Sequence, residues 1–128
     1  EHGLDLYGSG VFARAEWIER NPETAARFVK SSIEGLKLLL NDVPGGMAAL
    51  KRREPLFDEA LESRRFAMTR DRSMLTPNSR ANGLGHLDMA RARQLVAVNA
   101  EALGVANPPA AETMFTDRFL PPRSERMI

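Results

Sequence analysis

Cysteine is absent from the 128 residues, and only His2 and His86 supply an imidazole. The missing thiols exclude disulfides, cysteine nucleophiles and cysteine-ligated zinc or iron–sulfur centres, while leaving the compartment open. His2 lies near a terminus and His86 just ahead of a helix cap. Two such distant histidines make a poor metal site, and both read as surface residues rather than bases. A serine, a histidine and an acid that converge would be needed for nucleophilic catalysis, and no HExxH, Walker, dinucleotide-binding or paired-carboxylate pattern occurs. No enzyme activity, metal or cofactor is therefore expected.

Charge of one sign is lacking too. Lys and Arg number 18 against 17 Asp and Glu, a formal net charge of +1, which gives no broad electrostatic footprint for nucleic acid or an anionic membrane. Nor is there a long apolar run. The longest candidate, Leu36 to Leu40, is interrupted by Lys37 and falls far short of the roughly 18 residues a membrane helix needs, so a soluble chain is expected. The opening Glu1-His2-Gly3 has no basic region followed by an apolar one, as a secretory leader would. Together with the non-methionine start, this suggests a processed chain or a fragment of something longer. The 43% apolar content suits one small domain, placed at residues 1–122 with 123–128 as a polar tail.

What is present is mostly helical pattern. Over Pro22 to Asn41, Ala25, Phe28, Val29, Ile33, Leu36 and Leu40 share one face at 100° per residue, opposite Glu23, Arg27, Lys30, Glu34 and Lys37. Asn21 and Pro22 signal the start, and Asn41 to Gly46 the stop. Ser32 and Gly35 border the apolar face, where either another backbone comes close or the glycine is merely tolerated. A short helix over Ala15 to Arg20 brings Trp17 to the core or its lid. Further helices are expected at Met47 to Arg53, Phe57 to Arg70 and Met89 to Leu103, the last capped by Asp88 and stopped by Gly104. The basic run Lys51-Arg52-Arg53 reads as a solvated helix end. Between Asp71 and Leu87 the periodicity fails, and a long loop is expected. Met114, Phe115, Phe119 and Leu120 would pin a C-terminal segment whose last residues fray.

Leu4 to Phe12 alternates as a strand, with Tyr7 and Ser9 on the same side and glycines flanking Ser9. Gly8-Ser9-Gly10 lacks the Lys-Ser/Thr of a phosphate loop and reads either as a bend or as a place where a ligand approaches. The expected fold class is thus mainly α with one or two short strands. An isolated strand cannot satisfy its own backbone, so it would pair with a missing piece of the protein, with a further strand that the pattern does not reveal, or with another copy, the last giving a homo-oligomer through an exposed strand edge.

The order Leu6-Tyr7-Gly8-Ser9-Gly10-Val11-Phe12-Ala13, Trp17-Ile18-Glu19-Arg20-Asn21-Pro22-Glu23 and Arg27-Phe28-Val29-Lys30-Ser31-Ser32-Ile33-Glu34-Gly35 resembles the C-terminal part of ABC-transporter substrate-binding proteins. The group is the one associated with thiamine-pyrimidine precursors, taurine, alkanesulfonates and nitrate. Gly83-Leu84-Gly85 with Leu87-Asp88, and Phe115-Thr116-Asp117-Arg118-Phe119-Leu120-Pro121, are similar to its later segments. The resemblance implies the C-terminal portion of a periplasmic-binding-protein-like (type II) two-lobe α/β fold, without cofactor. It also implies noncovalent capture of a small polar or anionic solute in a closing cleft, a periplasmic or other extracytoplasmic location, and an ABC permease as partner. Tyr7, Gly8 and Ser9 are then the candidate ligand contacts. Eukaryotic relatives that synthesise the thiamine pyrimidine use a histidine- and cysteine-rich region, and the absence of cysteine argues against that activity. The alternative is a helical module that self-associates without binding solute.

Overall fold

A computed structural model describes residues 6–128. The long amphipathic segment forms as its pattern requires, α2 at Pro22–Asn41, preceded by α1 at Ala15–Arg20. Asn21 joins them differently from the expected cap. Its side-chain amide donates to the Trp17 carbonyl at 2.9 Å, closing α1, while its own carbonyl accepts from Ala25 N–H at 3.0 Å and opens α2.

The stretch read as the stop of α2 is also a start. α3 spans Val43–Arg53, four residues longer at its beginning than the expected Met47, because Asp42 accepts from Gly45 N–H at 2.9 Å and proline is compatible with a first turn. Gly46 serves packing here. A Cβ at that position would lie 2.3 Å from Leu39 Cδ1, so a larger residue there would push the Leu39 side chain aside. Gly35, by contrast, has nothing within 4 Å of a would-be Cβ and is simply tolerated.

α4 occupies Glu59–Thr69, capped by Asp58 on Leu61 N–H at 3.0 Å. It runs into one π-helical turn at Arg70–Met74, closed by Leu75 N–H on the Arg70 carbonyl at 2.8 Å. The expected loop from Asp71 to Leu87 is therefore largely helical. Besides the π turn it contains α5, Pro77–Asn82. Thr76 accepts from Ser79 N–H at 3.1 Å, and Pro77 at the first position followed by Gly83 past the last makes a complete start and stop. Turn-forming residues and helix-end residues are the same types, and here they do the second job.

α6 runs Met89–Leu103 as expected, with Asp88 accepting from Ala90 and Arg91 N–H and with Gly104 left-handed at φ 66°. α7, Ala111–Met114, and α8, Arg123–Arg126, follow. Among the described residues all regular structure is helical, with neither strand nor sheet. This overturns both the α+β expectation and the α/β, two-lobe type II architecture that the resemblance implied. The strand placed at Leu4 to Phe12 is absent from Leu6 onward, and Leu4 and Asp5 lie outside the described residues. Instead of a ladder, the Arg91 side chain of α6 and the Asp88 backbone just ahead of it hold this segment. Arg91 donates to the Leu6 carbonyl at 2.8 Å, and Tyr7 is bound at Asp88.

The core is thin. Ala25, Ile33, Met47, Phe66, Leu84, Ala92 and Ala111 are its buried apolar residues, whereas Phe28, expected on the core face of α2, is 55% exposed. What closes the body is the segment set aside as a frayed tail. Arg126 is buried at 7% exposure and donates to the Leu84 carbonyl at 2.7 Å and the Pro121 carbonyl at 2.8 Å. Its own carbonyl accepts from Leu84 N–H at 2.9 Å. Gly83, at φ 85°, lies so close beneath that a Cβ would meet Arg126 Cβ at 3.0 Å. Arg123 donates twice to the Ala81 carbonyl. Lys37 of α2 donates to the Glu125 carbonyl at 2.8 Å.

Arg126→Met keeps most of the side-chain volume but leaves two enclosed carbonyls without donors, a loss of about 2–4 kcal/mol. Urea unfolding followed by circular dichroism should show the midpoint fall accordingly. Arg27→Met, which removes only an exposed pair with Glu23, should shift stability by less than about 0.5 kcal/mol.

Candidate ligand-binding hollow at the start of helix α6

The N-terminal end of α6 is fixed from both directions. The Asp88 carboxylate caps it, accepting from Ala90 N–H at 2.9 Å and Arg91 N–H at 3.3 Å. The Asp88 N–H, pointing back, donates to the Tyr7 hydroxyl oxygen at 2.7 Å. One turn further, the Arg91 guanidinium lies over the Tyr7 ring, 4.5 Å from its centroid, a cation–π contact. Tyr7 is thereby anchored by its hydroxyl and by one face.

That anchoring creates a hollow of about 220 Å³. Tyr7 to Gly10 line it from one side, His86 and Leu87 line it from the approach to α6, and Leu95 and Phe115 complete it. Phe115 is brought there by α7, which packs on α6 where both helices carry buried alanines, Ala92 and Ala111. Arg93 reinforces the contact with an ion pair to Glu112. The Glu112 carboxyl is held below the usual glutamate range, first by its own backbone N–H and then by the Arg93 guanidinium.

The three candidate ligand contacts, Tyr7, Gly8 and Ser9, thus share one cavity. Gly8 and Gly10 have open space where a Cβ would be, and the Ser9 hydroxyl and His86 imidazole face no hydrogen-bond partner among the described residues. Sequence reasoning missed His86, Leu95 and Phe115. His86 was read as surface, yet it sits two residues before the cap that binds Tyr7, and the long-range bonds of Asp88 to Tyr7 and of Arg91 to Leu6 bring the segments together. The chemistry on offer is a hydroxyl, an imidazole and glycine amides at the edge of an apolar space. Among the described residues no cluster of His, Asp and Glu is able to hold a metal ion, and no helix is long and apolar enough to cross a membrane. No family model matches the chain, and no curated protein or solved structure is significantly similar to it.

Tyr7→Phe removes the acceptor for the Asp88 N–H, worth about 1 kcal/mol; hydrogen exchange at that amide should accelerate about five-fold while exchange in α3 and α4 is unchanged. The Glu112 pair predicts a pH dependence. A carboxyl whose folded value is lowered adds stability that is fully present above its unfolded range and is lost as pH falls through the folded value. An NMR titration should find the Glu112 midpoint below that of an ordinary glutamate, and Arg93→Gln should move it upward.

Proposed function

We propose that this chain is a solute-binding part of an ABC-type import system, and that the hollow beside α6 takes a small solute noncovalently. The observation that carries the reading is the convergence of Tyr7, Gly8 and Ser9 with His86 on one cavity. Two further segments in the resemblance, Gly83 to Asp88 and Phe115 to Pro121, contribute His86, Leu87 and Phe115 to its walls. Delivery to a permease outside the cytoplasm belongs to the same reading and is supported by the resemblance alone.

The walls favour one solute class among those the resemblance allows. Leu87, Leu95 and Phe115 offer apolar surface, the α6 N-terminus is already occupied by the Asp88 carboxylate, and Arg91 is engaged with Leu6 and Tyr7. An anion such as nitrate or a sulfonate, entering apolar surroundings, needs a cation committed to it. A flat, neutral heterocycle such as the thiamine aminopyrimidine precursor needs only apolar contact and a few hydrogen bonds, which Ser9 and His86 provide. Burying about 100 Å² of ring contributes roughly 2.5 kcal/mol and two hydrogen bonds about 1 kcal/mol each, before the entropy lost on binding. Affinity should therefore be no tighter than about 0.5 mM.

Amide NMR titration of the chain with the aminopyrimidine, taurine and nitrate tests this. The aminopyrimidine should shift Gly8, Ser9, Gly10 and His86, and Ser9→Ala or His86→Ala should weaken it about five-fold, the equivalent of one hydrogen bond. Taurine and nitrate should leave these amides in place. Shifts confined to other surfaces, or none with the aminopyrimidine at millimolar concentration, would sink the reading.

A further inference from the structure

We propose that Asn82-Gly83 is a deamidation site which the C-terminal helix α8 keeps closed, and that its isoaspartyl product no longer seats α8. Of the six asparagines, Asn21 and Asn107 precede prolines, which have no N–H, and Asn41, Asn78 and Asn99 precede residues whose Cβ screens the backbone nitrogen. Only Asn82 precedes a glycine. The reaction is an attack by the Gly83 backbone nitrogen, as its amide proton leaves, on Asn82 Cγ. The bond from that nitrogen to Cγ forms, the bond from Cγ to Nδ2 breaks, and ammonia departs carrying the proton. Water then opens the cyclic imide, at Cγ to give isoaspartate's isomer aspartate or at the backbone carbonyl to give isoaspartate, with no change of oxidation state.

The folded chain holds the reactants apart. Asn82 is the last residue of α5, and ring closure requires it to leave helical backbone angles. The Gly83 N–H donates to the Ser79 carbonyl at 2.8 Å, and Asn82 Nδ2 donates to Asn78 Oδ1 at 2.7 Å. On either side of this pair the backbone is bound to α8. Arg123 donates to the Ala81 carbonyl, and the Leu84 N–H donates to the Arg126 carbonyl at 2.9 Å. Rotation at Asn82 therefore waits for α8 to lift. Hydrogen bonds and ion pairs rather than apolar burial hold that helix, and Ile128 beyond it is 48% exposed. Elements held in this way open locally without global unfolding. Once formed, isoaspartate lengthens the backbone by a methylene just before Gly83. A Cβ on Gly83 would already meet three atoms of Arg126 at 3.0 to 3.2 Å, so the lengthened turn loses its register with α8. The freed turn leads into His86 and Leu87, which wall the hollow. This inference is independent of the solute reading, because its readouts are mass and hydrogen exchange in the chain without ligand.

The test is incubation of the whole chain at physiological temperature and pH, followed by peptide mapping with mass spectrometry. Wild-type Asn82 should convert at least about a hundred-fold more slowly than in the urea-unfolded chain, the equivalent of two charge-assisted hydrogen bonds. Arg126→Met should convert at least about ten-fold faster than wild type, one such bond being worth that factor. Arg123→Met, which leaves Arg126 in place, should convert several-fold faster. Phe66→Leu, which loosens the core at α4 without touching α8, should leave the Asn82 rate unchanged. In the isolated isoaspartyl chain, hydrogen exchange at the Leu84 N–H should lose its protection while exchange in α3 and α4 is retained. A wild-type rate equal to that of the unfolded chain overturns the proposal, as does an Asn82 rate that neither arginine variant raises or that Phe66→Leu raises as much. An isoaspartyl chain that keeps Leu84 protected overturns the release of α8.

Discussion

The buried guanidinium of Arg126 is the constraint on which the rest of the structure depends. Charge is taken out of water only where hydrogen bonds replace the lost hydration. Here the replacements are the backbone carbonyls of Leu84 and Pro121. This choice ties α8 to the Gly83–Gly85 turn, and the turn in turn sits against Ile33 of α2 and Leu120, both of which crowd Gly85. Lys37, together with Lys30 paired to Glu125 at 3.2 Å, holds α8 from the α2 side. The turn leads directly into His86, Leu87 and Asp88. The position of the hollow is thus set by a contact at the other end of the sequence.

The apolar core alone would hold this body weakly. Small residues, Ala25, Ala92 and Ala111, make up much of it, and no large side chain is fully enclosed among the described residues. Helix ends supply part of the definition instead, through Asp42, Asp58, Thr76 and Asp88, each accepting from a backbone N–H. Such caps contribute about 1 kcal/mol apiece. The exposed ion pairs, such as Arg118 with Glu19 at 2.7 Å, contribute little against solvent. A thin core has a second consequence, because large apolar residues, Phe12 and Leu103 among them, are left exposed.

Binding chemistry and scaffold meet at Asp88. Its carboxylate starts α6, its N–H anchors Tyr7, and the residues on either side of that anchor, Ser9 and His86, supply the polar groups of the hollow. In the proposed reading, a polar edge over apolar walls would orient a small ring by hydrogen bonds while the walls supply the contact area. Tyr7, a candidate ligand contact in the sequence, is also the post on which the segment hangs, one face already given to Arg91.

Helices were legible wherever the apolar period and a specific end coincided, as in α2 and in α6 between Asp88 and Gly104. The sequence also carried the absence of cysteine chemistry, the balanced charge and the candidate trio Tyr7, Gly8 and Ser9. Where one residue type has two uses, local reading chose wrongly. Asn41 to Gly46 is both an end and a beginning, Thr76 to Gly83 is a helix written in turn residues, and Leu6 to Phe12 alternates without pairing. The reason is physical. Capping and periodicity act over three or four residues and are visible in order, whereas the bonds from Arg91 to Leu6, from Asp88 to Tyr7 and from Arg126 to Leu84 span long stretches of chain. The sequence by itself determined the principal helices, α2 and α6, and which residues carry polar chemistry. Only the tertiary structure decided that His86 joins Ser9 and that the last helix locks the turn before α6, because those outcomes depend on which distant backbone groups each side chain reaches.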